Sequence, residues 1–169
     1  IQTLGAKKSE KEIKGLSASI GSLAKATAIA TSAFFGTKKL INAFSQQEMA
    51  EKKLESALGK TSEALLKQAS ALQRVSMFGD EQIIVQQAFL ASLKFTEEQI
   101  KTIIPAAIDL SAATGIALDS AVRNLAKTYS GLQGELGELI PQLRELTTTE
   151  LQQGEAVKVV SDLMGGQGK

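Results

Sequence analysis

Two pairs of carboxylates are the first candidates for chemistry. Glu97 stands beside Glu98, and Asp109 and Asp119 flank a turn at Gly115. Paired acids can divide general-acid and general-base duties when their surroundings push their pKa values apart. That requires perturbing groups, and this chain supplies few. It has no His, the commonest proton shuttle and zinc ligand, and no Cys, so no thiolate nucleophile, thiolate metal site or disulfide. Adjacent acids in a first helical turn are also what the helix dipole favours. Glu150, Glu155 and Asp162 lack the ligand spacing of a calcium loop. The Gly165-Gly-Gln-Gly run lacks the spaced Gly-Lys-Ser/Thr and the preceding strand of a phosphate loop, and reads as a flexible exit. The expectation is therefore no enzyme, no catalytic residues, no metal and no cofactor.

The elements that hold these acids are two amphipathic helices over residues 96–131. Thr96 can cap the first, with Gln99 at the capping-box position. Ile100, Ile103, Ile104, Ala107, Ile108 and Ser111 then recur at helical spacing. Gly115 follows where a left-handed cap is needed, a conformation glycine adopts without strain. Leu118, Ala121, Val122, Leu125 and Tyr129 repeat the pattern up to Gly131. The expected hairpin core is Ile100, Ile104 and Ile108 against Leu118, Val122 and Leu125. Alanines between the faces let the axes approach closely. Pro105 inside the first helix predicts a kink or a broken turn.

Outside the hairpin, the same periodicity predicts helices over residues 62–77, 81–93 and 155–164. A short one interrupted near Pro141 is also expected. Met49, Leu54, Ala57, Leu58, Leu65, Leu66, Ala69, Leu72, Val75, Leu93 and Leu163 fall on the inward faces. Asp80 is placed to cap the 81–93 helix, and Thr147 with Glu150 forms a second capping-box pattern. No stretch alternates apolar and polar residues between hairpin turns, so the chain reads as all-α. At 169 residues it can hold one core. The expected division is a long helical arm over residues 1–59 and a compact helical domain over 60–169. The start at Ile1 and the glycine-rich end read as those of a piece of a longer protein.

Net charge is +1. Residues 1–59 carry nine basic and five acidic side chains; residues 60–169 carry ten and thirteen. Neither half is a strong polyelectrolyte, and the basic start is a solvated face more readily than a nucleic-acid site. With no Trp and one Tyr there is little to stack on single-stranded bases, so no sequence-specific nucleic-acid binding is expected. No signal peptide is visible. The uncharged run at residues 26–37 is well short of the roughly 20 residues of a membrane span.

The arm carries a heptad-like seam: Ile13, Leu16, Ile20, Leu23, Thr27, Ala30, Phe34, Thr37, Ile41 and Phe44 alternate three and four residues apart. Three readings stay open. The seam Ile13, Leu16, Ile20, Leu23, Phe34, Ile41 and Phe44 could join copies of the chain as a homo-oligomer, a trimer in preference. It could instead fold back on its own domain. Or residues 16–44, with small residues at Ala18, Gly21, Ala24, Ala28 and Ser32, could enter a bilayer or bind another partner.

Three segments carry a resemblance to a known family. They are Phe95-Thr-Glu-Glu-Gln-Ile, Pro105-Ala-Ala-Ile-Asp-Leu-Ser-Ala-Ala-Thr-Gly and Ala121-Val-Arg-Asn-Leu-Ala-Lys-Thr-Tyr-Ser-Gly. With Gln46-Gln-Glu-Met-Ala-Glu-Lys-Lys-Leu and Leu146-Thr-Thr-Thr-Glu-Leu-Gln-Gln-Gly-Glu-Ala, the chain resembles the tail tape-measure proteins of tailed bacteriophages over about residues 44–166. The resemblance implies a structural virion protein whose helical copies fill the tail tube, set its length and assist DNA ejection. Its partners would be itself, the tail-tube and tail-tip proteins and, at ejection, the host envelope membrane. Its places would be the tail lumen, the host cytoplasm during assembly and the envelope on ejection. The alternative is a membrane-active helical module inserting residues 16–44.

Overall fold

The computed structural model describes residues 45–168. The seam residues Ile13 to Phe44, and with them the coiled-coil, fold-back and bilayer readings of the arm, lie outside the described residues. Within them every regular element is helical, and there is no strand. No described helix is long and apolar enough to cross a membrane.

The chain enters on α1, residues 45–58. It continues through α2 (Glu63–Gln73), α3 (Asp80–Ser92), α4 (Glu97–Thr114) and α5 (Leu118–Thr128). A connection of short pieces follows: α6 (Leu136–Leu139), a 3₁₀ turn η1 (Pro141–Glu145) and α7 (Thr148–Gln152). It ends on α8 (Glu155–Met164). Ala50 and Leu54 of α1 are buried in the same core as α4.

Helix α4 is the centre. It packs against α2, α3, α5 and α8. Its ends are set locally. The Thr96 hydroxyl accepts from the Gln99 amide while the Gln99 side chain accepts from the Thr96 amide, and Gly115 closes the other end at φ 76. Eight of its side chains are buried, among them Ile100, Ile103, Ile104, Ile108 and Leu110. At about 25 cal/mol per Å² of apolar surface removed from water, this is the largest single block of hydrophobic stabilisation a helix here can provide.

Of the kink or broken turn expected at Pro105, the broken turn does not occur: α4 runs on through it. A proline has no N–H to offer the carbonyl four residues back, and here that carbonyl is Lys101 O. The Gln68 side chain of α2 donates to it at 2.7 Å. Gln68 Oε1 in turn accepts from Gln87 Nε2 of α3 at 3.2 Å, and the same Nε2 donates to Leu65 O at 3.0 Å. The missing proline N–H thus sets the direction of two side-chain amides. The last oxygen of the run, Gln87 Oε1, is buried and meets no donor among the described residues.

Other boundaries also differ from expectation. Helix α2 stops at Gln73 rather than 77, because Arg74 turns its amide to Ala71 O and Leu72 O and the chain leaves toward α3. Val75 is therefore exposed instead of inward. Gly79, not Asp80, is the N-cap of α3, and Asp80 occupies the first helical position. The glycine-rich end is not a free exit. The Gly168 amide donates to Asp109 Oδ1 at 2.8 Å, and a Cβ at Gly168 would lie 2.5 Å from Ile108 Cγ2. Only glycine lets this backbone lie so close to α4.

Candidate interaction surface

The acids that could have done chemistry are held in ordinary ion pairs and caps. Glu97 and Glu98 both reach Lys101, at 3.3 and 2.9 Å, and Glu97 lies 4.0 Å from Lys60. The hydrogen bonds it donates to Glu98 and Glu97 hold the Lys101 ammonium above its usual pKa. Asp119 pairs with Arg123 one turn along α5, at 3.5 Å. Asp109 is engaged by Gly168. No three or more metal-ligating side chains gather among the described residues. Tyr129 has a pKa raised by burial, partly offset by a hydrogen bond with Thr102.

The hairpin residues Ile100, Ile104, Ile108, Leu118, Val122 and Leu125 are all buried. The structure makes them a core, so they position a surface rather than form one. Concave surface lies elsewhere. A groove between α1 and α3, with two lobes of about 600 and 520 Å³ that share Lys53 and Val85, has Ala57, Ala88 and Phe78 in its walls. Met49, on this groove, is half exposed rather than inward; its neighbour Ala50 takes the core position.

A second cleft of about 510 Å³ lies between the end of α3 and the outer face of α5. Its apolar walls are Phe89, Leu93, Phe95 and Tyr129, with Arg123 and Lys127 among them. The Arg123 guanidinium sits 5.6 Å over the Phe89 ring, and Phe95 meets Tyr129 edge-on at 5.1 Å between centroids. Backbone geometry at the end of α3 builds this wall. The Phe95 amide returns to Leu90 O and the Lys94 amide to Ala91 O, which requires Lys94 at φ 69. That closure usually takes glycine. Leu93 at its edge is 50% exposed, so an apolar position expected to face the core faces the cleft instead. Arg123 and Lys127 as a basic lip were not foreseen: on the sequence they are separate charges on solvated faces.

An apolar floor with a cationic rim is the make-up of a binding cleft. No protein-family model, curated protein or solved structure matches this chain.

Proposed function

We propose that the chain is a structural segment of a phage tail tape-measure protein, acting by assembly rather than catalysis. In this reading, copies fill the tail tube, set its length and leave ahead of the DNA at infection. Tail-tube and tail-tip proteins are its neighbours, and residues 13–44 are its self-association element. The observation that carries the reading is where the resemblance falls. Its segments 95–100, 105–115 and 121–131 fall in α4 and α5, the buried helices around which an all-helical unit is arranged. Motifs written into a core are tied to a fold rather than to a chance run of surface residues.

The test is physical. In the virus whose reading frame contains this chain, removing a helical stretch from that frame should shorten the tail by about 1.5 Å per residue, the rise of an α-helix. Electron micrographs of purified particles measure it. Tails of unchanged length, or particles in which an antibody to residues 60–168 finds no protein after disruption, would remove the proposal.

A further inference from the structure

The connection after α5 displays two leucines outward on a backbone that is tied down. Leu132 is 61% exposed and Leu139 47%. Gln133 Nε2 donates to Leu146 O at 3.2 Å, Asn124 Nδ2 donates to Glu135 Oε2 at 3.3 Å, and Arg144 Nε donates to Gly137 O. Gly131 and Gly134 turn through positive φ, and a Cβ on Gly131 would lie 2.5 Å from Thr148 Cγ2. Between the leucines stand Glu135 and Glu138, both exposed. The product is a knuckle with apolar tips and acidic flanks, already ordered before it meets anything. Ordering a loop on binding is a large part of what association costs.

The cleft beside α5 has the opposite character. Its floor is apolar and its rim is Arg123 and Lys127. Lys127 enters none of the ion pairs among the described residues. The knuckle does not fill the cleft of its own molecule, since both leucine tips stay exposed. The two features are nonetheless neighbours. Ser130 lines the cleft, and the knuckle begins at the next residue.

We propose that the cleft receives the knuckle of a second copy of this chain. Leu132 and Leu139 enter the apolar floor, and Glu135 and Glu138 lie against Arg123 and Lys127. Because cleft and knuckle adjoin, one two-fold axis lets each copy give and receive, so every contact is made twice. The pairing does not rest on the tape-measure reading. It is also distinct from any association through residues 13–44.

A charge swap tests it on the full chain. Lys127→Glu places an acid on the rim, and Glu138→Lys places a base on the knuckle. Each variant alone meets its own kind twice across the axis, and its self-association should weaken by about tenfold or more. Mixed one to one, the two variants restore opposite charges at both contacts, and the mixed pair should form about as well as wild type. Native mass spectrometry with one variant isotopically heavy separates mixed from like pairs. Matching circular dichroism melting curves exclude misfolding. Wild-type pairing should also weaken as salt rises, since rim charges are screened. Association indifferent to both swaps, or a wild type with no pairing through residues 45–168 at millimolar concentration, overturns the proposal. So does a Lys127→Glu and Glu138→Lys mixture that pairs no better than either variant alone.

Discussion

Helix α4 and the connection from Tyr129 to Gly154 are built on different physics. Helix α4 is one long element held by burial: its isoleucines are sealed on several sides by α2, α3, α5 and α8. The connection has no helix longer than five residues. It buries Leu136, Ile140, Leu143 and Leu151 in the same core, and between them it is held by glycines at positive φ, a capping box and the Gln133 side-chain amide on a backbone carbonyl. Both regions bury volume, but only the connection also depends on left-handed backbone turns within its length, and its exposed side chains lie outside that core. That contrast explains why leucines can stand in water at 132 and 139 without the loop collapsing around them.

The sharpest way to break the comparison is to remove volume from α4. Ile104 is fully buried. Ile104→Ala should cost about 2–5 kcal/mol, the lost transfer energy plus the cavity left in a core that cannot close. Leu132→Ala on the connection should be within about 0.5 kcal/mol of wild type. Urea unfolding of both measures the difference, and equal costs would erase the distinction.

The connection's own weak point is Gly154, at φ 87 between α7 and α8. A Cβ there would lie 2.6 Å from the Tyr129 hydroxyl. Gly154→Ala should destabilise by about 2 kcal/mol, from left-handed strain and displacement of the tyrosine. In a Tyr129→Phe background part of that cost should disappear, because the clashing oxygen is gone while the strain remains. Thermal melts of the four proteins give the cycle. A cost unchanged by Tyr129→Phe would mean that strain alone acts.

What was legible in the sequence was whatever three or four residues decide together. Thr96 with Gln99, Thr147 with Glu150, and Gly115 each carry their own geometry, and each stands where its spacing places it. The all-helical character of the described residues followed from the same local periodicity. Periodicity names a face but not what covers it. Met49, Val75, Leu93 and Leu163 sit on apolar stripes yet are about half exposed, since no element among the described residues covers them. Distant partners were illegible for the same reason. Nothing near Pro105 announces that Gln68, 33 residues away from the carbonyl it serves, will complete the helix, or that Asp109 will hold Gly168. The cleft depends on a lysine in a glycine's conformation, which residue type argues against.

The Gln68 contact offers a finer test of how α4 is held, because here burial needs a polar repair. Gln68→Leu leaves Lys101 O without its donor and takes the acceptor from Gln87. It should cost about 1–3 kcal/mol, the penalty for stranding buried polar groups. In a Pro105→Ala background the helix regains its own N–H at that carbonyl. The cost of Gln68→Leu should then fall by about 1 kcal/mol. Chemical denaturation of the two single variants and the double variant reads the coupling. Strict additivity would show that Gln68 acts on α2 alone.

The smallest effect belongs to the cap of α7, where a charge rather than a volume holds the connection. The Thr147 amide and hydroxyl both donate to Glu150 Oε2 at 2.7 Å, and the Glu150 amide donates back to Thr147 Oγ1 at 3.3 Å. These bonds, the backbone one first, hold the Glu150 carboxyl below its ordinary value of 4.5. A carboxylate with a lowered folded pKa adds stability that is fully present above the unfolded value. That stability is lost as pH falls through the folded one. Amide exchange in α7 should therefore be slow at neutral pH and quicken, relative to α4, once the pH drops below 4.5 toward the folded value. Glu150→Gln keeps an acceptor but no charge, so its α7 protection should be weaker at neutral pH and should not follow this titration. The hydroxyl and amide of Thr147 remain to the glutamine oxygen, so the loss should be partial and confined to α7 and the turn at Gly154. Protection in wild-type α7 that is flat across this range would mean the box is held by its backbone bonds alone, and that the connection owes nothing to charge.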